Sequence, residues 1–193
     1  MSKQFISASS LASMSYHLGA LVYNGGFYPD FMITLWRGGA TIGLHVHELF
    51  KFMNVEIDHI AVRTSSYKGV NTVGASTASG VNVHTLNYVT KQLKKGSKIL
   101  LVDDVYESGN SVSAVIEKLT KESGIPLDQL DIRVATVFYK PKKNRSYRKP
   151  DYYVSESDDW LVFPHEVEGL TLDEIKIAKG DHVFEIFSSL KKQ

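Results

Sequence analysis

Apolar positions along this chain switch repeatedly between two periods. From Ser7 to Tyr23 they recur at helical spacing (Leu11, Met14, Leu18, Leu21, Val22), with Ser7, Ser9 and Ser10 as candidate caps and Gly25-Gly26 as the terminator. Phe31 to Trp36 is a short apolar run of the buried-strand kind, followed by Arg37-Gly38-Gly39 and a helical stretch over about Ala40 to Phe52. Ile57 to Thr64 reads as a strand. Ser65 to Gly80 has no sustained apolar period and is rich in Ser, Thr and Gly; loops of that length in compact domains are more often lids or binding loops than connectors. Val81 to Thr85 reads as a returning strand and Leu86 to Leu93 as a short helix ended by Lys94-Lys95-Gly96. Ile99 to Val102 is wholly apolar. A helical period (Val112, Val115, Ile116, Leu119) then runs to about Ser123, where Gly124 and Pro126 break it. Ile132 to Tyr139 and Tyr152 to Val154 read as strands, Trp160 to Phe163 as a last apolar piece, and Leu172 to Leu190 as a C-terminal helix.

Strands alternating with helices predict an α/β fold with an open, mostly parallel twisted sheet flanked by helices. Ligands of such sheets bind at the carboxyl ends of the strands, beside a topological switch point. Arg37-Gly38-Gly39, the 65–80 loop, the 103–111 loop and Lys140 each follow a predicted strand, so they are expected to converge on one edge.

The stretch Ile99 to Ser111 carries the chemistry. Asp103, Asp104 and Glu107 put three carboxylates where the apolar run ends, and Ser108-Gly109-Asn110-Ser111 opens the next helix. A glycine turn with two hydroxyls at a helix N-terminus is an anion cradle, because free N–H groups and the positive dipole end face one point. One loop thus offers acids for hydroxyls or a metal beside a pocket for phosphate, the combination a sugar phosphate needs.

Composition narrows the class. With 193 residues, 43% hydrophobic and 22% charged, the chain suits a single globular domain. A net charge of +1 gives no global field for nucleic acid or an acidic membrane surface. No cysteine is present, which excludes disulfides and thiolate chemistry and fits the cytoplasm. No apolar run reaches membrane-spanning length, and Met1 to Phe5 lacks the apolar core of a signal peptide. The run Lys140, Lys142, Lys143, Arg145, Arg148, Lys149 with Tyr147 inside it has a nucleic-acid reading, against which stand the near-zero net charge and the flanking Pro141 and Pro150.

Residues 99–111 resemble the phosphoribosyl-pyrophosphate signature of the type I phosphoribosyltransferases: an apolar run, two acids, two mostly apolar residues, an acid, Ser/Thr, Gly, any residue, Ser/Thr. Tyr106 stands where an aliphatic residue is usual, and Glu107 where the purine-using members usually have Asp. Three weaker motifs follow in the family's order. Arg37-Gly38 is similar to the first pyrophosphate loop, although alone it reads as a strand-to-helix turn. Ser66-Tyr67 is similar to the pair in the flexible loop that closes over pyrophosphate. Trp160-Leu161-Val162-Phe163-Pro164-His165-Glu166 resembles the base-binding segment of the bacterial xanthine-guanine enzymes, with His165 in place of an aromatic.

The resemblance implies one domain over 1–193, with a core at about 27–140, a small hood from about 1–26 and 150–193, and a flexible loop at about 65–80. It implies a purine-salvage enzyme moving the phosphoribosyl group of phosphoribosyl pyrophosphate onto hypoxanthine, guanine or xanthine. Glu107 would be the general base toward purine N7. Asp103 and Asp104 would hold the ribose hydroxyls, and Ser108, Gly109, Asn110 and Ser111 the 5′-phosphate. Arg37, Gly38, Ser66 and Tyr67 would meet pyrophosphate. Lys140 would donate to the 6-oxo group, Trp160 would stack on the base, and the Leu161 backbone would read its edge. Asp103, Asp104 and Glu166 would be the acids around Mg²⁺. A homodimer or homotetramer is the family habit. Two rivals stand beside this reading: a phosphoribosyltransferase-like regulator that binds nucleotide without turnover, and a receiver-type signalling domain, which leaves the Ser108–Ser111 cradle unexplained.

Overall fold

The computed structural model describes residues 3–66 and 81–190, without the side chains of Ser65, Ser66 and Asn82. Tyr67 and the rest of the proposed 65–80 loop beyond Ser66 lie outside the described residues. In chain order the elements are β1 (Lys3–Phe5), α1 (Ala8–Asn24), β2 (Phe31–Trp36), α2 (Gly38–Phe52), β3 (Asp58–Ser66), β4 (Val81–Val83), α3 (Asn87–Thr90), β5 (Lys98–Tyr106), α4 (Asn110–Ser123), β6 (Asp131–Tyr139), β7 (Tyr152–Glu156), β8 (Trp160–Val162), α5 (Leu172–Lys179) and α6 (Asp181–Ser189).

The chain divides into two compact units, one of residues 14–158 and one of residues 1–13 with 159–193. The larger unit holds a six-stranded sheet in the order β4-β3-β2-β5-β6-β7. All its neighbours are parallel except β4, which runs antiparallel to β3. This is the open, mostly parallel sheet the strand–helix alternation predicts. Ile99, Leu100, Leu101 and Val102 are fully buried, as a central strand covered on both faces requires. One face carries the cluster of Phe31, Ile33, Leu35, Leu101, Val134 and the inward side of α4 (Val112, Val115, Leu119). On α4, Gly109 precedes the first turn at φ 81° and Gly124 closes the last at φ 70°, both left-handed conformations in which glycine is not strained.

The switch point falls between β2 and β5. Going outward from it, β2 leads through α2 to β3, and β5 leads through α4 to β6. The two strands pair only as far as Thr34↔Val102. Beyond that, β2 stays with β3 to Trp36↔Arg63, and β5 stays with β6 to Tyr106↔Tyr139. Their carboxyl ends therefore part where Asp103 and Asp104 begin. Asp103 and Asp104 do not follow the strand, as the apolar run suggests; they lie within it, and only Glu107 comes after its end.

The smaller unit pairs β1 with β8 in parallel, Lys3↔Trp160 to Phe5↔Val162, a strand at the N-terminus that the sequence reading lacks. Within it the expected single C-terminal helix is two, separated by Gly180 at φ 88°. Thr171 caps α5 reciprocally with Glu174, each side chain taking the other's backbone N–H. Other boundaries shift modestly: α2 begins at Gly38 and α3 is four residues long.

Candidate functional site

Beyond Val102 the polar residues of β5 and its loop line a cleft of about 600 Å³. Asp103, Asp104, Glu107, Ser108, Gly109 and Ser111 form one wall, and Lys142, Lys143 and Arg145 form the other. The cleft sits at the carboxyl edge of the parallel strands, where this sheet type places ligands.

Backbone geometry sets the cradle. Gly109 turns the chain in the left-handed region so that α4 starts at Asn110, and the Asn110 N–H donates to Ser108 Oγ at 3.3 Å. The N–H of Ser113 is the first taken up inside the helix, by Gly109 O at 2.9 Å. The N–H groups of Ser111 and Val112 precede that first intrahelical bond, at the start of a helix of 14 residues whose dipole favours an anion there.

The acids behave differently from one another. Burial pushes the Asp103 carboxyl well above the usual carboxylate range, and the adjacent Asp104 pushes it further; a hydrogen bond from the Asp104 N–H to Asp103 Oδ1 (3.0 Å) opposes both. A divalent cation would offset exactly those two costs by compensating the charge that burial and the neighbour disfavour, so the pair suits Mg²⁺, a hard cation held through one or two carboxylates. Among the described residues no group of three or more His, Asp or Glu is arranged around one point. The start of α2 closes on this spot: a Cβ on Gly39 would collide with Val102 O and lie 3.2 Å from Asp103 Oδ1. Only glycine permits that approach. Arg37 and Gly38, just before it, do not line the cleft; the Trp36–Arg37 peptide is cis.

Glu107 lies between two ammonium groups. Lys143 Nζ is 2.7 Å from its Oε1 and Lys140 Nζ is 4.0 Å from its Oε2. Lys140 is buried rather than solvent-facing, at 5% exposure, which brings it to the acid at the end of the neighbouring strand. Among the residues named for the base and metal, Trp160, Leu161 and Glu166 belong to the smaller unit. There Trp160 is more than half exposed with Lys3 Nζ 5.4 Å over its ring. Leu161 is buried opposite Gln4, and Glu166 Oε2 accepts the Phe163 N–H at 3.0 Å. Ser66 ends β3 opposite Val81.

The basic run of the sequence supplies Lys142, Lys143 and Arg145 to the cleft, and Tyr106 stands where an aliphatic residue is usual. The rule that brought Lys140 to the ligand edge reaches the residues just after it as well. Tyr106 is a tie: its hydroxyl donates to Arg148 O (3.0 Å) and lies 2.8 Å from Ser146 Oγ. Burial raises its pKa, so it remains a donor. Tyr106→Phe is expected to lower unfolding stability by about 1–2 kcal/mol, the worth of a buried hydrogen bond whose partner loses a donor, as read by urea denaturation.

Comparison with known proteins gives one family and one fold. A family model described as phosphoribosyl transferase domain matches residues 17–172. A purine phosphoribosyltransferase from Pyrococcus horikoshii Ot3 superposes with TM-score 0.64 at 22% identity, over 89% of this chain and 99% of that one. A hypothetical protein from Neisseria gonorrhoeae with bound ppGpp gives TM-score 0.64 at 23% identity, over 91% and 94%. A xanthine-guanine-hypoxanthine phosphoribosyltransferase from Helicobacter pylori gives 0.61 at 20%, over 86% and 95%. No curated protein sequence matches the chain.

Proposed function

The chain belongs to the phosphoribosyl transferase domain family, and from that premise we propose that it transfers the phosphoribosyl group of phosphoribosyl pyrophosphate to a 6-oxopurine, giving the nucleoside monophosphate and pyrophosphate. The observation that carries this reading is the cleft itself: paired acids, a helix-start cradle and a carboxylate within 4.0 Å of a buried lysine, all at one sheet edge.

Ser108, Gly109, Asn110 and Ser111 bind the 5′-phosphate through helix-start N–H groups and hydroxyls. Asp103 and Asp104 take the ribose hydroxyls and are the residues that would hold Mg²⁺, which when bound supplies charge neutralisation for the leaving pyrophosphate. The pyrophosphate roles of Arg37, Gly38, Ser66 and Tyr67 rest on the resemblance and belong to the same proposal. Lys140 donates to the oxygen on purine C6; an ammonium has no lone pair to offer an amino group there, so adenine is disfavoured. The roles that the resemblance implies for Trp160 and the Leu161 backbone toward the base, and for Glu166 toward the metal, belong to the same proposal. Glu107 accepts the N7 proton as the base is ribosylated. A homodimer or homotetramer acting in the cytoplasm belongs to the same proposal.

The test is an ultraviolet assay with phosphoribosyl pyrophosphate and Mg²⁺ against hypoxanthine, guanine, xanthine and adenine separately. The expected result is turnover of at least one oxopurine and none of adenine. A second reading, nucleotide binding without turnover, draws on the bound ppGpp of the Neisseria gonorrhoeae neighbour. Silence with all four bases together with tight binding of a purine nucleotide selects it.

A further inference from the structure

We propose that Lys143 is the positioning residue for Glu107, a role that rests on the reading of Glu107 as the general base. The segment after β6 brackets that acid. The Lys140 N–H donates to Tyr106 O at 2.9 Å and the Arg145 N–H to Ser108 O at 3.2 Å, so the carbonyls on either side of Glu107 are tied to residues on either side of Lys143. Between those ties the two side chains meet at 2.7 Å.

Lys143 is itself well placed. It ends a 3-10 turn, Pro141–Lys143, whose closing hydrogen bond runs from Lys143 N–H to Lys140 O (3.1 Å). The next residue, Asn144, donates to Arg148 O (2.9 Å) and Tyr139 Oη (3.1 Å) and accepts the Ser146 N–H (2.9 Å). A lysine on a braced turn holds its partner in one place far better than a lysine on a free loop.

The two neighbouring lysines are engaged differently. Lys142 reaches Asp158 at 3.3 Å. Lys140 is buried and stands 4.0 Å from Glu107, the longer of the two contacts. Lys143 and Glu107 are each roughly two-fifths exposed, and pairs that accessible add little to folding. The worth of this contact is therefore geometric. It holds the carboxylate at the mouth of the cleft, and a carboxylate one methylene longer than aspartate has more conformations to be held from.

The experiment is steady-state kinetics on Lys143→Met, Lys143→Arg, Glu107→Gln and the double variant Glu107→Gln/Lys143→Met, with thermal melting of each. Lys143→Met is expected to lower kcat about tenfold with the KM for phosphoribosyl pyrophosphate within about twofold, Lys143→Arg to restore most of the loss, and Lys143→Met to change nothing further in the Glu107→Gln background. A raised KM at unchanged kcat makes Lys143 a phosphate contact and overturns the proposal. So does a loss that multiplies with that of Glu107→Gln, or a tenfold loss matched by a lowered melting temperature and not restored by Arg. Wild-type kcat in Glu107→Gln overturns the general-base reading and the positioning role together. A large loss in Glu107→Gln beside a silent Lys143→Met overturns the positioning role alone.

Discussion

Replacing Glu107 by Gln is expected to lower kcat by about 10²–10⁴, the range over which a positioned acid or base contributes to proton transfer, while the KM values for phosphoribosyl pyrophosphate and base change little. Gln has the same length and keeps an oxygen to accept from Lys143, which stands at 2.7 Å. What it lacks is the ability to take a proton. The cradle proposed for the 5′-phosphate is the backbone of residues 108–111 and the start of α4, which the change leaves untouched. Asp103 and Asp104, proposed for the ribose, belong to β5, which ends before Glu107. A loss confined to kcat is thus the signature of missing chemistry rather than missing binding. Steady-state kinetics with the preferred oxopurine, with calorimetric titration of phosphoribosyl pyrophosphate alongside, measures both. An unchanged kcat removes Glu107 from the mechanism.

The parts of the fold legible in the sequence are those where one local pattern decides the outcome. Ile99 to Val102 is apolar at every position and lies fully buried at the centre of the sheet. Leu11, Leu18 and Val22 recur at helical spacing and are buried on one side of α1. The Ser108–Ser111 turn was readable because a glycine between hydroxyls before an apolar period has few other uses.

The rest depended on partners distant in the chain. Asp103 to Tyr106 extends β5 because β6 continues beside it after β2 has left; nothing within those four residues encodes that. The three residues of β1 pair with β8 across more than 150 positions, and a three-residue strand carries no readable period. Gly180 splits the last helix although apolar spacing continues on both sides of it. In the site, Glu107 and Lys140 were readable singly. Their meeting, and the third member Lys143, follows from adjacent parallel strands delivering their ends side by side.

Gly109→Val is expected to raise the dissociation constant for phosphoribosyl pyrophosphate by about 10²-fold and to destabilise the fold by about 2–6 kcal/mol. Two separate physical costs combine there. At φ 81° a β-branched residue is strained, by roughly 1–3 kcal/mol. A Cβ at that position also falls 2.5 Å from Ser146 Oγ and 2.7 Å from Tyr106 Oη, the hydroxyls that tie the cleft's two walls, and crowding of a packed site costs about 1–3 kcal/mol. The chain has two escapes. It relaxes φ toward negative values, which turns the N–H groups at the start of α4 away from the phosphate, or it pushes the 144–148 segment outward and breaks the Tyr106 tie. Either route opens the cradle, so binding falls by more than stability alone predicts. Losing one hydrogen bond to a charged group costs about 1.5–3 kcal/mol, roughly 10–10²-fold in affinity, which sets the expected size. Calorimetric titration of phosphoribosyl pyrophosphate against urea denaturation of the same variant separates the two effects. A Gly109→Val protein that is destabilised yet binds with wild-type affinity places the 5′-phosphate somewhere other than residues 108–111.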